Sequence, residues 1–182
     1  MRRFVLLLSV GVSLFLLGAC RAKQPEYRPT ATVKDIMDSI VDPQADIIWN
    51  SVATIVSAAG TEERAPHTDE EWAAVRRSAV QLVEAPNLLL MLGRRVAQPG
   101  QKSDNPKIEL EPEEIEQRIN ADRASFETLA RGLQDSAVLV LKAIDAKDVQ
   151  GVTDAGEKID TACENCHLKY WYPNQVIPPI PK

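Results

Sequence analysis

Apolar residues recur every three or four positions along most of this chain, which is the period of a helix with one buried face. Four such stretches follow one another: 32–59, 68–92, 113–147 and 148–172. A proline at position 43 interrupts the first, because proline lacks an amide hydrogen and crowds the preceding turn. We expect a kink there, after which Asp42 caps the resumed helix and Pro43 takes its first position.

The boundaries of the other stretches carry capping signals. Thr68 and Glu71 have the spacing of a capping box at the start of the second helix. Asp148 is a suitable N-cap for the fourth helix, which must end before Pro173 because a residue that precedes proline is disfavoured in the helical region. A long polar connection, 93–112, joins the second and third helices.

Four amphipathic helices joined in this way predict an all-α fold, an antiparallel four-helix bundle over 31–173. The proline-rich residues 174–182 predict an extended tail. In an up-down-up-down bundle the start of the first helix, the end of the second, the start of the third and the end of the fourth meet at one end.

The N-terminus reads as an export signal that is removed. Arg2 and Arg3 precede an apolar run over 4–17, which is short for a bilayer span, and Leu-Gly-Ala-Cys follows at 17–20. This ending resembles a bacterial lipobox, in which the cysteine, here Cys20, is acylated and becomes the first residue. Residues 1–19 would then be a lipoprotein signal peptide and 20–30 a flexible tether, so we expect a periplasmic protein anchored by lipid to a bacterial membrane. The alternative is a plain signal peptide followed by a chance cysteine.

Composition and charge limit the possible folds and partners further. The 182 residues fit one domain, and aromatic residues at 5% disfavour an all-β fold. Removal of residues 1–19 leaves 19 basic against 26 acidic residues, a net charge of −7. This balance argues against nucleic acid as a partner, since a nucleic-acid binder needs a basic surface.

The candidate chemistry lies at Cys163-Glu164-Asn165-Cys166-His167. On a helix these two thiols and the imidazole project toward one face, and C-x-x-C-H is the attachment signature of c-type haem. Cys163 and Cys166 would each form a thioether with one covalent haem, and His167 would be the proximal iron ligand. A disulfide leaves His167 unexplained, a zinc site needs about four ligands where the only other histidine is His67, and a thioredoxin-type pair should open a helix that follows a strand.

A four-helix bundle with C-x-x-C-H on its last helix resembles class II cytochrome c, the group of cytochrome c′ and its low-spin relatives. The resemblance covers 31–173 and depends on the five-residue motif. Members often continue with an aromatic and a basic residue after the histidine; Tyr170 fits, but Trp171 stands where the basic residue is usual. Whether Lys169 or an arginine serves the haem propionates therefore stays open. The arginines expected near this end are Arg94, Arg95, Arg118 and Arg123.

The sixth iron position decides between two functions. Of the two methionines beyond the signal peptide, Met37 lies about 7 Å from the haem end of its helix, a depth similar to that of His167, whereas Met91 lies closer to the rim. Met37 is therefore the candidate sixth ligand, although a methionine at helical spacing is commonly core filler. A thioether ligand raises the haem potential and blocks diatomic ligands.

The sequence as a whole predicts a monohaem c-type cytochrome that transfers electrons to redox partner proteins. The alternative is a five-coordinate haem protein that binds or senses diatomic gases such as NO and CO, and a third class is a haem-free helical interaction protein. We expect no enzyme, because no nucleophile–base pair or paired-carboxylate motif stands out. A homodimer is left open.

Overall fold

A computed structural model describes residues 27–175 of the chain. The predicted signal peptide, Cys20, most of the predicted tether and the tail from residue 176 lie outside the described residues. The helices are α1 (Val33–Ile36), a π-helical turn (Met37–Val41), α2 (Asp42–Ser51), α3 (Asp69–Leu89), α4 (Pro112–Ala121), α5 (Arg123–Asp145) and α6 (Val149–Tyr170). Two short strands, β1 (Thr54–Ser57) and β2 (Gly60–Glu63), form a hairpin between α2 and α3.

The predicted four-helix bundle is confirmed. The first bundle helix comprises α1, the π turn and α2; the second is α3; the third comprises α4 and α5; and the fourth is α6. α2 packs against α3 and α6, and α5 packs against the same two helices, which closes the ring of four. The centre of the core is formed by fully buried aliphatic side chains: Ile48, Leu82, Val140, Val152 and Ile159.

The first helix ends at Ser51, so the predicted extension to residue 59 is wrong. The residues that follow include Val52, Thr54, Ile55 and Val56, whose β-branched side chains favour strand over helix. β1 pairs antiparallel with β2, and Gly60 adopts a φ of 130° beside the turn, a conformation that favours glycine. The apolar spacing in this segment therefore belongs to an exposed hairpin.

The third helix is divided where the sequence predicts one continuous helix. Asp122 adopts φ −134° and ψ 59°, which ends α4, and its side chain accepts a hydrogen bond from the Ser125 amide to cap α5. Its carboxylate also pairs with Lys169 at 2.7 Å, and its carbonyl oxygen accepts a hydrogen bond from the Tyr170 hydroxyl at 3.0 Å. Asp122, the residue at the break, therefore links the third bundle helix to the end of α6.

The first bundle helix passes Pro43 through a π turn instead of restarting from an Asp42 cap. The Asp42 amide donates to the Met37 carbonyl, five residues earlier, so Asp42 lies inside the helical path. The buried residues reflect the extra residue: Ile48, Ala45 and Val41 follow helical spacing, and the next buried residue is Ile36. A regular α-helix would place Met37 beneath Val41 and turn Lys34 toward the core. The π turn instead lets Ile36 enter the core and leaves Met37 at its edge.

No helix among residues 27–175 is long and apolar enough to cross a bilayer.

Candidate functional site

The C-x-x-C-H motif occupies the last two turns of α6. The helix starts at the Asp148 cap, whose side chain accepts from the Gly151 amide at 3.0 Å. Cys163 and Cys166 are unpaired, half-buried and packed against the core. Burial raises the pKa of Cys163 to about 12 and that of Cys166 to about 11, so both side chains are neutral thiols in the unmodified chain.

The imidazole of His167 is also half-buried, and burial lowers its pKa; the nearby carboxylate of Glu164 opposes this to a smaller extent. His167 is therefore neutral at pH 7, since its unperturbed pKa already lies near 6.5. A neutral imidazole is the form that ligates a metal.

Two aromatic residues that follow α6 pack against this imidazole. The ring of Trp171 meets His167 edge-on, with centroids 4.9 Å apart and an interplanar angle of 88°. The ring of Tyr172 lies 5.6 Å from the imidazole at 60°. The hydroxyl of Tyr172 donates a hydrogen bond to Glu164 at 2.6 Å, and burial together with this carboxylate raises the pKa of the tyrosine.

A cleft that is partly open to solvent lies against the same end of α6. Cys166 and His167 border it from α6, Met37 from the first bundle helix and Ile115 from α4. Its lining is mostly apolar, as is usual for ligand sites in proteins. The structure therefore places two of the three motif residues and the candidate sixth ligand around one cavity.

The connection between the second and third bundle helices forms one wall of this cleft. Val96 and Ala97 are buried, and Leu110 also borders the cavity. The backbone is fastened at both ends: the Val33 amide donates to Arg95 and the Lys34 amide to Val96, each at 2.9 Å, and the Leu110 amide donates to the Trp171 carbonyl at 2.8 Å. The sequence analysis predicts only a polar loop here. The two adjacent apolar residues at 96 and 97 are the signal that could have indicated a buried segment.

Met91 lies apart from this cleft. It borders a different surface cavity, together with Tyr27 and Arg131, and its sulfur is 3.2 Å from a guanidinium nitrogen of Arg94. Of the two methionines, Met37 alone borders the cavity that His167 borders. Met37 as the sixth iron ligand stays a prediction.

The arginines considered for the propionates lie elsewhere. Arg94, Arg95 and Arg123 border a second cavity, beneath the end of α3, and Arg118 is exposed on α4. Arg94 donates to the carbonyls of Leu88 and Ala31, and Arg123 donates to that of Leu90.

Lysines are the cations that border the motif's cleft, and sequence reasoning missed them: Lys34 and Lys102. Lys34 lies 3.2 Å from Asp38 and 3.4 Å from Asp104, so it bridges α1 and the loop. Lys169 is engaged by Asp122.

Within residues 27–175, no group of three or more His, Cys, Asp and Glu side chains converges as a metal-ion site would require. The donor set instead fits a haem of the c type: two unpaired thiols one helical turn apart, a neutral imidazole beside the second, and an apolar cleft against the same helix end.

Among known proteins, those similar to this chain are found among solved structures. No protein-family model matches the chain, and no curated protein matches it. The similar solved structures are those of cytochrome c prime. The nitric oxide complex of a leucine-to-valine mutant of cytochrome c prime from Alcaligenes xylosoxidans is 21% identical, with a TM-score of 0.48, and the match covers 78% of this chain and 98% of that chain. A ferrous arginine-to-lysine variant of the same cytochrome with bound nitric oxide is 20% identical, with a TM-score of 0.48 and coverage of 78% and 97%. At this level of likeness no role passes from those proteins to a residue of this chain.

Proposed function

We propose that this protein is a monohaem c-type cytochrome that carries electrons. The observation that carries the proposal is the meeting of two unpaired cysteine thiols, a neutral histidine and an apolar cleft at the end of α6. The bound haem would supply a one-electron iron couple. The residues of the chain would attach the haem, ligate its iron and exclude water from it.

Cys163 and Cys166 would hold the haem covalently. Addition of a thiol S–H across a vinyl double bond forms one C–S bond and transfers the hydrogen to the other vinyl carbon, so attachment consumes no oxidant. Both cysteines are unpaired, so neither sulfur has to be released from a disulfide before attachment.

His167 would ligate the iron from the proximal side, and Met37 is the proposed sixth ligand. Met37 supports this role because the π turn brings it to the cleft that His167 borders. A neutral thioether favours the reduced iron and blocks external ligands, which suits an electron carrier. Val96 and Leu110 on the loop would help to exclude water from the cleft.

The alternative is a five-coordinate haem protein that binds diatomic gases, in which Met37 merely lines the cleft. The similar cytochrome c prime structures include nitric oxide complexes. Carbon monoxide binding separates the two functions, because ferrous iron with an open sixth position takes it up rapidly and iron with a thioether ligand does so slowly.

The proposed setting is the periplasm, where Cys20 would carry the lipid that anchors the tether and bundle to a bacterial membrane. Its partners would be redox proteins and, through the lipid, the membrane; nucleic acid is not among them. No chemical transformation of a substrate is proposed.

Covalent haem is the test of the proposal. The purified full-length product should retain haem after acid-acetone extraction, and its intact mass should exceed that of the mature polypeptide by one haem. The matched control is the double variant Cys163→Ser, Cys166→Ser, which should keep the bundle and lose the retained haem. Complete extraction of haem from the wild-type protein would overturn the proposal.

A further inference from the structure

The chain turns back on itself directly after α6. The amides of Trp171 and Tyr172 both donate to the carbonyl of His167, at 2.8 and 3.0 Å. The residue that bears the imidazole therefore also fixes the backbone of the two aromatic residues that pack on that imidazole.

Each of the two aromatic residues is held by a second contact, Tyr172 through its side chain and Trp171 through its backbone. The hydroxyl of Tyr172 donates to Glu164, one turn before His167 on α6. The carbonyl of Trp171 accepts from the Leu110 amide, which ties the residue to the loop that walls the cleft. The two rings also pack on each other with centroids 5.5 Å apart. The aromatic pair is thus fixed relative to the helix, the loop and the imidazole.

The imidazole itself lacks the usual orienting hydrogen bond. A histidine that ligates a metal commonly donates its other ring N–H to a carboxylate or a carbonyl, which fixes the ring's rotation. Among residues 27–175 no oxygen accepts a hydrogen bond from the His167 ring, and Glu164, the neighbouring carboxylate, is engaged by Tyr172. The rings of Trp171 and Tyr172 both pack on the His167 ring and limit its rotation.

We propose that Trp171 and Tyr172 are positioning residues for the proximal ligand. They fix the rotation of the His167 imidazole by packing and keep water away from its free ring nitrogen. This inference rests on the proposed function, because it assigns the pair to His167 as an iron ligand. The consequence is a less basic ligand in a drier setting, and both effects favour the reduced iron.

The experiment compares variants of the full-length haem-loaded protein. Trp171→Leu removes the edge contact and admits water, so the midpoint reduction potential should fall, and the hyperfine-shifted haem methyl resonances of the oxidised protein should change because they report the ring's rotation. Trp171→Phe keeps an aromatic edge and should restore both toward wild type. Tyr172→Phe keeps the ring and loses only the bond to Glu164, so it should shift both readouts slightly in the direction of Trp171→Leu.

Trp49→Leu is the matched control. Trp49 lies on α2, and its indole donates to the carbonyl of Gly156, eleven residues or about 16 Å along α6 from His167. This variant should lower stability and leave the potential and the methyl resonances unchanged. A Trp171→Leu protein with wild-type potential and resonances would overturn the inference, as would equal shifts in Trp49→Leu. Absence of covalent haem from the wild-type protein would instead overturn the proposed function, and the inference with it.

Discussion

Met37 and Met91 are separated by structure as well as by depth along their helices. Met37 reaches the cleft because the π turn displaces it from the core seam, whereas the sulfur of Met91 contacts Arg94 on another face. If Met37 ligates iron, the Met37→Ala protein should change from low-spin to high-spin, and its ferrous form should bind carbon monoxide rapidly. Absorption spectra and carbon monoxide mixing measure both, with Met91→Ala as the control that should behave as wild type.

Rapid carbon monoxide binding by the wild-type protein would contradict Met37 ligation and favour the gas-binding alternative. Low-spin character that survives in Met37→Ala and is lost in Met91→Ala would transfer the role to Met91.

Asp122 makes stability depend on pH at the break in the third bundle helix. Its hydrogen bonds from Lys169 and Ser125 lower the pKa of the carboxylate from 3.8 to about 2. A pKa that is lowered in the folded state means that the ionised carboxylate stabilises the fold above pH 4 and that this contribution is lost as pH falls from about 4 to about 2.

The variant Asp122→Asn keeps a good helix cap and removes the charge. It should be less stable than wild type at pH 7, and the difference should disappear near pH 2, as urea denaturation at the two pH values would show. Asp135→Asn is the control, since Asp135 is exposed and forms no ion pair with residues 27–175. A difference that persists unchanged at pH 2 would contradict the charge argument.

At the site, sequence reasoning located what spacing alone determines. Cys163, Cys166 and His167 lie on one helix, so their common face follows from their separation. The lysines at the cleft and the aromatic pair on His167 come from a loop and from the turn after α6, and their placement depends on backbone hydrogen bonds such as that of Leu110 to Trp171. Helical periodicity carries no information about contacts of that kind.

The apolar periodicity of the sequence predicts the four bundle helices correctly, but it predicts the positions and forms of their interruptions less well. The Asp42-Pro43 pair marked a disturbance, but its form depends on a register conflict: Val33 and Ile36 are one residue out of phase with Val41 and the seam beyond it. A π turn resolves such a conflict by adding one residue to the turn. The break at Asp122 was missed because the apolar pattern continues across it.

Two helix glycines give a matched test of helix packing. A Cβ at Gly156 would lie 3.1 Å from Cδ1 of Trp49, and the indole cannot move away without losing its 3.1 Å bond to the Gly156 carbonyl. A Cβ at Gly132 would have no neighbour within 4 Å. Substitution of alanine therefore brings the same gain in helix propensity at both sites, about 1 kcal/mol. The two sites differ in whether the added Cβ is crowded by a neighbouring side chain.

Gly132→Ala should raise the free energy of unfolding by up to about 1 kcal/mol. Gly156→Ala should lower it, because overpacking costs about 1–3 kcal/mol and outweighs the propensity gain. Chemical denaturation of the two variants beside wild type measures the difference. Equal stabilisation by both would show that α2 and α6 do not approach closely at this point.

At the scale of the whole molecule, the two ends of the bundle are built differently. At one end Trp49 and Gly156 bring α2 and α6 into direct contact. At the other end a loop is inserted, fastened to Val33 and Lys34 on one side and to Trp171 on the other, and the cleft lies beneath it. The helix end that bears Cys166 and His167 is therefore the end against which this cleft lies.

The proposed lipid anchor at Cys20 would determine the location of the protein independently of the bundle. If Cys20 is acylated, the buried methylenes of its acyl chains supply about 0.8 kcal/mol each to membrane binding, and more than one chain gives a stable anchor. The Cys20→Ser protein should therefore appear in the soluble periplasmic fraction in place of the membrane fraction. Its covalent haem should be unchanged, because Cys163 and Cys166 lie at the far end of α6 and take no part in anchoring.

Cell fractionation followed by haem staining measures both the location and the haem content. The double variant Cys163→Ser, Cys166→Ser is the reciprocal control, which should lose haem and stay at the membrane. A membrane fraction of Cys20→Ser equal to that of wild type would contradict the lipid anchor, and wild-type protein found wholly in the soluble fraction would favour the plain signal peptide.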